Sequence, residues 1–177
     1  MSANRNLVAD LTPTSRPEWN GLVPRQLYDR LNAEPVVGRP IDHLGKVLLD
    51  AVDGRTSELV ALRVAALRGC LYVWAGHCQI ALRRPDGRLT KDEIARVAAG
   101  PAMFDGADAA VVAAADAILA HASTRIAEPA AMSPVTMATL VLFYDLICTI
   151  MADAEPDAAP VRGLETPARA AAAALAA

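Results

Sequence analysis

Residues 58–77 read ELVALRVAALRGCLYVWAGH, and this stretch decides the predicted fold. Apolar residues face nearly every direction when it is drawn as a helix, and a helix that is apolar all round belongs in a protein core. We predict one helix that runs through Leu67, a bend at Arg68-Gly69, and a second helix from Cys70 to about Arg83. These two helices should be central, with the rest of the chain packed around them.

Helical patterns also flank this stretch on both sides. Apolar residues recur three and four positions apart, and Ser, Thr, Pro and Gly stand where helices would begin and end. A valine-rich alternating segment bounded by turns is not seen, so we predict an all-α fold of about six to eight helices. Before the central stretch we predict a helix over 24–32, a break over 34–40 and a helix over 41–52. Thr56 or Ser57 is predicted to cap the central helix, with Glu58 in its first turn. After the central stretch we predict a turn over 85–87, a capping box from Thr90 to Glu93, a helix over 105–122, a helix from Ser133-Pro134 to about residue 152, and a terminal helix after Thr166-Pro167.

The length of 177 residues suits a single domain with its own apolar core. Residues 1–23 contain prolines without a helical period and are predicted to form an arm. The helical domain is placed at 24–155. Residues 156–177 are rich in Ala and Pro and are predicted to form a tail with a possible terminal helix.

Composition and charge argue against several classes of partner. The net charge is −3 and no block of Lys and Arg could follow a phosphate backbone, so nucleic acid is not expected. The start of the chain has no secretory signal pattern, which predicts a cytoplasmic protein. The apolar run Val135–Met151 is shorter than the roughly 20 residues that a membrane span needs. It contains Asp145, so we predict a buried helix in which this acid is paired, lies at a pocket or faces a subunit interface.

The three cysteines, Cys70, Cys78 and Cys148, are an odd number without metal-ligand spacing. This fits a reducing compartment, with no metal site. Cys70 and Cys78 lie about 12 Å apart along a helix, too far for a disulfide. Cys78 is expected to pack like a small apolar residue, and Cys148 has no separate predicted role.

Chemistry-bearing residues cluster within the central stretch. Val73, Trp74 and His77 share one helix face with Cys70, which follows the bend and lies near a helix N-terminus that favours a thiolate. Glu58 precedes Cys70 by about 18 Å of helix, so a joint site requires the chain to fold back at Gly69. Each of these residues could instead be a packing residue of the core. His43 and His121 are expected at the surface.

The central stretch resembles the carboxymuconolactone decarboxylase and alkylhydroperoxidase D superfamily. Peroxidases of this superfamily have a glutamate, a pair of cysteines three apart and a histidine, and Glu58, Cys70 and His77 match three of these positions. The fourth position is Val73, so an internal dithiol of the family type is disfavoured. The resemblance extends from about residue 40 to 152 and implies an AhpD-like helical bundle.

The resemblance implies cofactor-free acid–base chemistry, namely decarboxylation, isomerisation or ring opening of a small organic acid or lactone. His77 would transfer the proton, Glu58 would orient it or act as a second base, and Cys70 would be a polar wall or a nucleophile. Tyr72, Val73 and Trp74 would contact the substrate. A symmetric homo-oligomer, a trimer or hexamer, is also implied. Arg63, Arg68 and Arg83 are candidates to bind a substrate carboxylate.

Two alternatives remain open at this point. One is a peroxidase that uses Cys70 alone with an external thiol. The other is a non-catalytic ligand-binding or assembly protein on the same fold, which would bury Glu58 and His77 in packed core without a cavity beside them.

Overall fold

The computed structural model describes residues 22–86, 88–120 and 132–176. Within these ranges the secondary structure comprises eight α-helices and no strand, which confirms the all-α prediction. A short 3-10 turn, Pro101–Met103, lies between α5 and α6. The helices are α1 Arg25–Ala33, α2 Pro35–Ala51, α3 Gly54–Arg68, α4 Leu71–Ala81, α5 Lys91–Ala99, α6 Gly106–Leu119, α7 Pro134–Ile150 and α8 Pro167–Leu175.

Helix α3 lies at the centre of the fold, as predicted. It packs against α4, α5, α6 and α7. Residues 59–62 are completely buried. This helix needs neighbours on every side because its apolar residues cover its whole circumference.

The predicted bend between α3 and α4 is confirmed at Gly69. Its φ of +64° lies in the left-handed region, which favours glycine and ends a helix. Cys70 then occupies the N-cap position of α4, without a side-chain capping hydrogen bond. The chain reverses here, so the end of α4 returns to the beginning of α3.

The predicted break over 34–40 is confirmed only at Glu34, which separates α1 from α2, and is wrong for residues 35–40. Helix α2 begins at Pro35 directly after Glu34 and continues through Pro40. Proline is tolerated in a first turn because that turn needs no backbone N–H. Pro40 leaves the carbonyl of Val36 without an intrahelical donor, and Val36 lies on an exposed part of the helix where water can take that place.

The predicted start of α3 is also corrected. Asp53 is the N-cap, and its side chain accepts a hydrogen bond from the Thr56 backbone N–H at 3.0 Å. Neither Thr56 nor Ser57 is the cap. Glu58 therefore lies in the second turn and is buried, so a favourable position beside unpaired N–H groups does not account for it.

Other helix starts agree with the sequence. Thr90 and Glu93 form the predicted capping box, and Ser133 caps α7. Thr166 caps α8, which packs along α5 and buries Ala170 completely. The terminal helix thus contributes to the core of the described structure.

Helix α7 contains Asp145, which pairs with Arg68 at 2.5 Å. Of the three surroundings predicted for this acid, the structure shows the first, an ion pair. Across the ranges that the structure describes, none of the helices combines the length and the apolar character that a membrane crossing requires.

The predicted arm lies almost entirely outside the described residues, as does His121. His43 is exposed, as predicted.

Candidate functional site

Glu58 and His77 meet where the end of α4 returns to α3. Glu58 Oε2 lies 2.8 Å from His77 Nδ1. The glutamate side chain is 2% exposed and the imidazole 18% exposed. The fold therefore brings together the two residues that the family resemblance selected.

Arg84 is a third member of this group, and the sequence analysis missed it. It follows α4, and its Nη1 donates to Glu58 Oε1 at 2.8 Å. Its Nε and Nη2 donate to the two carboxylate oxygens of Asp86, each at 3.1 Å. A buried carboxylate needs a cation or several hydrogen-bond donors, so a partner for Glu58 was to be expected. The sequence does not show whether Arg84 or its neighbour Arg83 is that partner.

These contacts fix the hydrogen-bonding roles of the imidazole. A carboxylate that is paired with Arg84 accepts hydrogen bonds, so His77 Nδ1 carries the proton and donates it to Glu58. The described residues supply no hydrogen bond to Nε2. Nε2 of His77 is therefore the nitrogen that can accept a proton, while Nδ1 is bonded to the Glu58 carboxylate.

A cavity of about 130 Å³ lies beside this group. Both Glu58 and His77 line it. Its size is close to that of the roughly 150 Å³ apolar cavities that hold a benzene-sized molecule. Helices α1, α2, α4 and α7 supply its apolar walls, which include Leu27, Leu31, Ile41, Leu49, Val73, Ile80, Phe143 and Ile147.

Tyr144 on α7 is a second residue that the sequence analysis did not select for the site. Its ring meets the His77 ring edge-on, with centroids 5.1 Å apart, and its hydroxyl lies 3.3 Å from Ser57 Oγ. Burial and the nearby Glu58 carboxylate raise the pKa of Tyr144, so its hydroxyl keeps its proton. Since Tyr144 also lines the cavity, it can donate a hydrogen bond to a bound oxygen.

Two of the three predicted substrate contacts line the cavity. Val73 supplies an apolar wall, and Tyr72 is also exposed to the cavity. The Tyr72 hydroxyl donates to Asp157 Oδ2 at 2.7 Å, and burial together with this bond raises the pKa of Tyr72. Tyr72 can therefore accept a hydrogen bond from a ligand, while its own proton is engaged by Asp157.

Trp74 and Cys70 are not among the residues that line the cavity. Trp74 is completely buried, and its indole N–H donates to the Leu164 carbonyl at 2.7 Å. The helix face shared by Cys70, Val73, Trp74 and His77 is thus divided between the cavity and the core. Cys78 is completely buried, and burial raises the pKa of its thiol.

The three arginines suggested for a substrate carboxylate do not line the cavity. Arg63 pairs with Asp116 and donates to two backbone carbonyls, Arg68 pairs with Asp145, and Arg83 is exposed. Among the described residues that line the cavity, Lys46 is the one Lys or Arg. It is bonded to Asp42 at 2.5 Å.

A substitution at Gly54 tests whether Arg84 is held tightly. A Cβ at Gly54 would lie 2.5 Å from Asp86 Oδ2 and 2.6 Å from Arg84 Cζ. Because Arg84 cannot retreat without breaking its bond to Glu58, we expect Gly54→Ala to destabilise the fold by about 1–3 kcal/mol in urea unfolding. Gly76→Ala is the control, since no heavy atom lies within 4 Å of the added Cβ and alanine favours the helix. Equal stability of the Gly54→Ala variant and the wild type would contradict the close packing of Arg84.

Part of the chain that carries the site matches a known family model. The sequence model of the carboxymuconolactone decarboxylase family matches residues 35–120. This range includes Glu58, Cys70, His77 and Arg84, and it ends before α7. Comparison with curated proteins and with solved structures gave no match.

Proposed function

We propose that this chain, whose residues 35–120 match the model of the carboxymuconolactone decarboxylase family, is a cofactor-free enzyme that isomerises a small lactone by acid–base catalysis. The observation that carries the proposal is the position of His77. It lines a largely apolar cavity, its Nδ1 is bonded to Glu58, and its Nε2 has no partner among the described residues. This is the arrangement of a general base that is held in one tautomer.

Each residue of the group has a distinct role in the proposed reaction. His77 Nε2 removes a proton from a carbon next to the lactone carbonyl, which leaves an enolate, and returns the proton at another carbon of the ring system. Glu58 stabilises the imidazolium that forms between these two steps, and Arg84 holds Glu58 in place. Tyr144 donates a hydrogen bond to the enolate oxygen, where negative charge develops.

The charges around the cavity favour an uncharged lactone over an organic acid. Lys46 is paired with Asp42, and Glu58 is paired with Arg84. The remaining carboxylate that lines the cavity, Asp157, is bonded to the Tyr72 hydroxyl. A substrate carboxylate would therefore enter an apolar cavity without a cation to receive it, at a cost of several kcal/mol.

A matched pair of substrates tests this preference. We expect an unsaturated lactone to be converted at least about tenfold more efficiently, in kcat/KM, than the same lactone with a carboxylate substituent. The methyl ester of the second compound should regain activity, because it removes the charge and keeps the added carbons. If the carboxylate were preferred and Lys46→Ala removed that preference, Lys46 would be the anchor and the substrate would be an acid.

The two alternatives from the sequence are less well supported. The non-catalytic ligand-binding or assembly protein was expected to bury Glu58 and His77 in packed core without a cavity, whereas both line a cavity. A peroxidase that uses Cys70 alone would need that thiol to meet substrate, and Cys70 is buried outside the cavity lining.

The symmetric oligomer remains a proposal. Large apolar side chains are exposed on α2 and α7, where a second copy could cover them. They include Val36, Val37, Val47, Val135, Leu142 and Leu146. Molecular mass in solution would test it, and a monomer would contradict it.

A further inference from the structure

All three tyrosines of the chain line the cavity. They are buried, and they come from three different helices: Tyr28 from α1, Tyr72 from α4 and Tyr144 from α7. A tyrosine hydroxyl has one proton to donate and lone pairs that accept. The hydrogen bonds that the cavity offers to a ligand therefore depend on where these three protons are already used.

Two of the three protons are taken up by carboxylates. Tyr28 donates to Asp42 Oδ1 at 3.1 Å, and Tyr72 donates to Asp157 Oδ2 at 2.7 Å. An ionised carboxylate has no proton to give, so the direction of both bonds is fixed. Tyr72 can therefore accept a hydrogen bond from a ligand but has no proton left to donate.

Helix α1 holds Asp157 in place beside Tyr72. Asp157 Oδ2 also accepts from the Gln26 backbone N–H, and Oδ1 accepts from Gln26 Nε2, each at 3.2 Å. Asp157 itself lines the cavity. Because it contacts the hydroxyl of Tyr72, the polar end of that side chain lies at the cavity wall and not only its ring.

One lone pair of the Tyr72 oxygen stays open to a ligand. Burial and the bond to Asp157 raise the pKa of Tyr72, while the Leu27 backbone N–H acts on the same oxygen and lowers it. A hydroxyl oxygen has two lone pairs, so Leu27 uses one at most. Donation to a carboxylate polarises the O–H bond, which makes the oxygen a stronger acceptor. A buried acceptor of this kind favours a ligand that brings its own donor.

We propose that Tyr72, positioned by Asp157, forms a subsite for a hydroxyl group of the ligand, and that the substrate is a lactone which carries a hydroxyl. The second half rests on the proposed function, whereas the subsite itself does not. Tyr72 precedes His77 by five residues, or about 7.5 Å along α4, so the two side chains can bind different parts of one ring-sized ligand. An ether oxygen in the subsite would face the Tyr72 lone pair and be disfavoured.

Binding of three probes of about the size of benzene tests the subsite without lactone chemistry. Phenol carries a donor, anisole carries an ether oxygen without a donor, and toluene carries neither. Isothermal titration calorimetry on the full-length chain gives the ratio of the phenol affinity to the toluene affinity. We expect Tyr72→Phe to lower this ratio at least about tenfold, because it removes the acceptor and keeps the ring.

Asp157→Ala should have a different effect from Tyr72→Phe. It releases the Tyr72 proton, so anisole should gain affinity relative to toluene by about threefold to tenfold. Loss of packing alone would not produce such a gain. Gln26→Ala is the control, because it removes a side-chain bond to Asp157 and leaves the bond from Tyr72. Both affinity ratios in this control should stay within about twofold of the wild type.

The proposal fails if phenol does not bind, or if Tyr72→Phe leaves the phenol-to-toluene ratio within about twofold of the wild type. It also fails if the ratio falls in His77→Ala instead, since phenol would then donate to His77 Nε2. Among lactones, a hydroxylated ring should exceed its methyl ether at least about tenfold in kcat/KM, and Tyr72→Phe should remove most of that preference. If the probes bind as expected but no lactone is converted, the subsite stands and the proposed reaction is wrong.

Discussion

Replacing His77 with alanine is expected to lower kcat for lactone isomerisation by about 10²–10⁴, the usual contribution of a positioned general acid or base. The imidazole is the one basic group that lines the cavity with an atom unbonded by the described residues. KM should change little, because the apolar walls that bind the ring remain. Steady-state kinetics on the best uncharged lactone, followed by ultraviolet absorbance, measures both constants.

His43→Ala provides the matched control. This histidine is exposed on α2, so its loss should leave kcat within twofold of the wild type. His77→Gln adds a second comparison, because it can still hydrogen-bond to Glu58 but cannot take up a proton. If either His77 variant kept half of the wild-type turnover, His77 would not be the base.

Replacing Arg84 with methionine is expected to destabilise the fold by about 3–5 kcal/mol, because it leaves the Glu58 carboxylate buried and without its cation. The two side chains are 8% and 2% exposed, so water cannot take over the role of Arg84 without a rearrangement. The free energy of unfolding from urea titration, followed by circular dichroism, measures the loss.

Arg83→Met is the control, since the adjacent arginine is exposed and its loss should change stability by no more than about 0.5 kcal/mol. The double variant Glu58→Gln, Arg84→Met should be less destabilised than the sum of the two single variants, because removing the buried charge removes the need for the cation. A cost below about 1 kcal/mol for Arg84→Met alone would show that Glu58 does not depend on it.

The part of the site that was predictable involves short separations along the chain. Glu58 and His77 are separated by one bend, and Gly69 marks that bend in the sequence. The number of residues from Glu58 to the bend and from the bend to His77 then limits where the two side chains can meet. The same locality explains why the helix caps at Thr90 and Ser133 were predicted, since each depends on residues three positions apart.

The helix boundaries that were mispredicted have local but ambiguous signals. A proline can end a helix or occupy its first turn, and Pro35 does the second. Asp53, Thr56 and Ser57 are all good N-cap residues, and the backbone selected the first of them. The competing residues satisfy the same local rules, so the sequence could not decide between them.

The sequence by itself determined the all-helical fold and the central position of α3, because helical periodicity acts over short distances. Its glycine at position 69 allowed Glu58 and His77 to meet but did not require it. Only the tertiary structure decided which side chains complete the site. Arg84 reaches Glu58 across 26 residues and Tyr144 reaches Ser57 across 87. These contacts follow from how α7 and the segment after α4 pack on α3, and no local pattern encodes that packing.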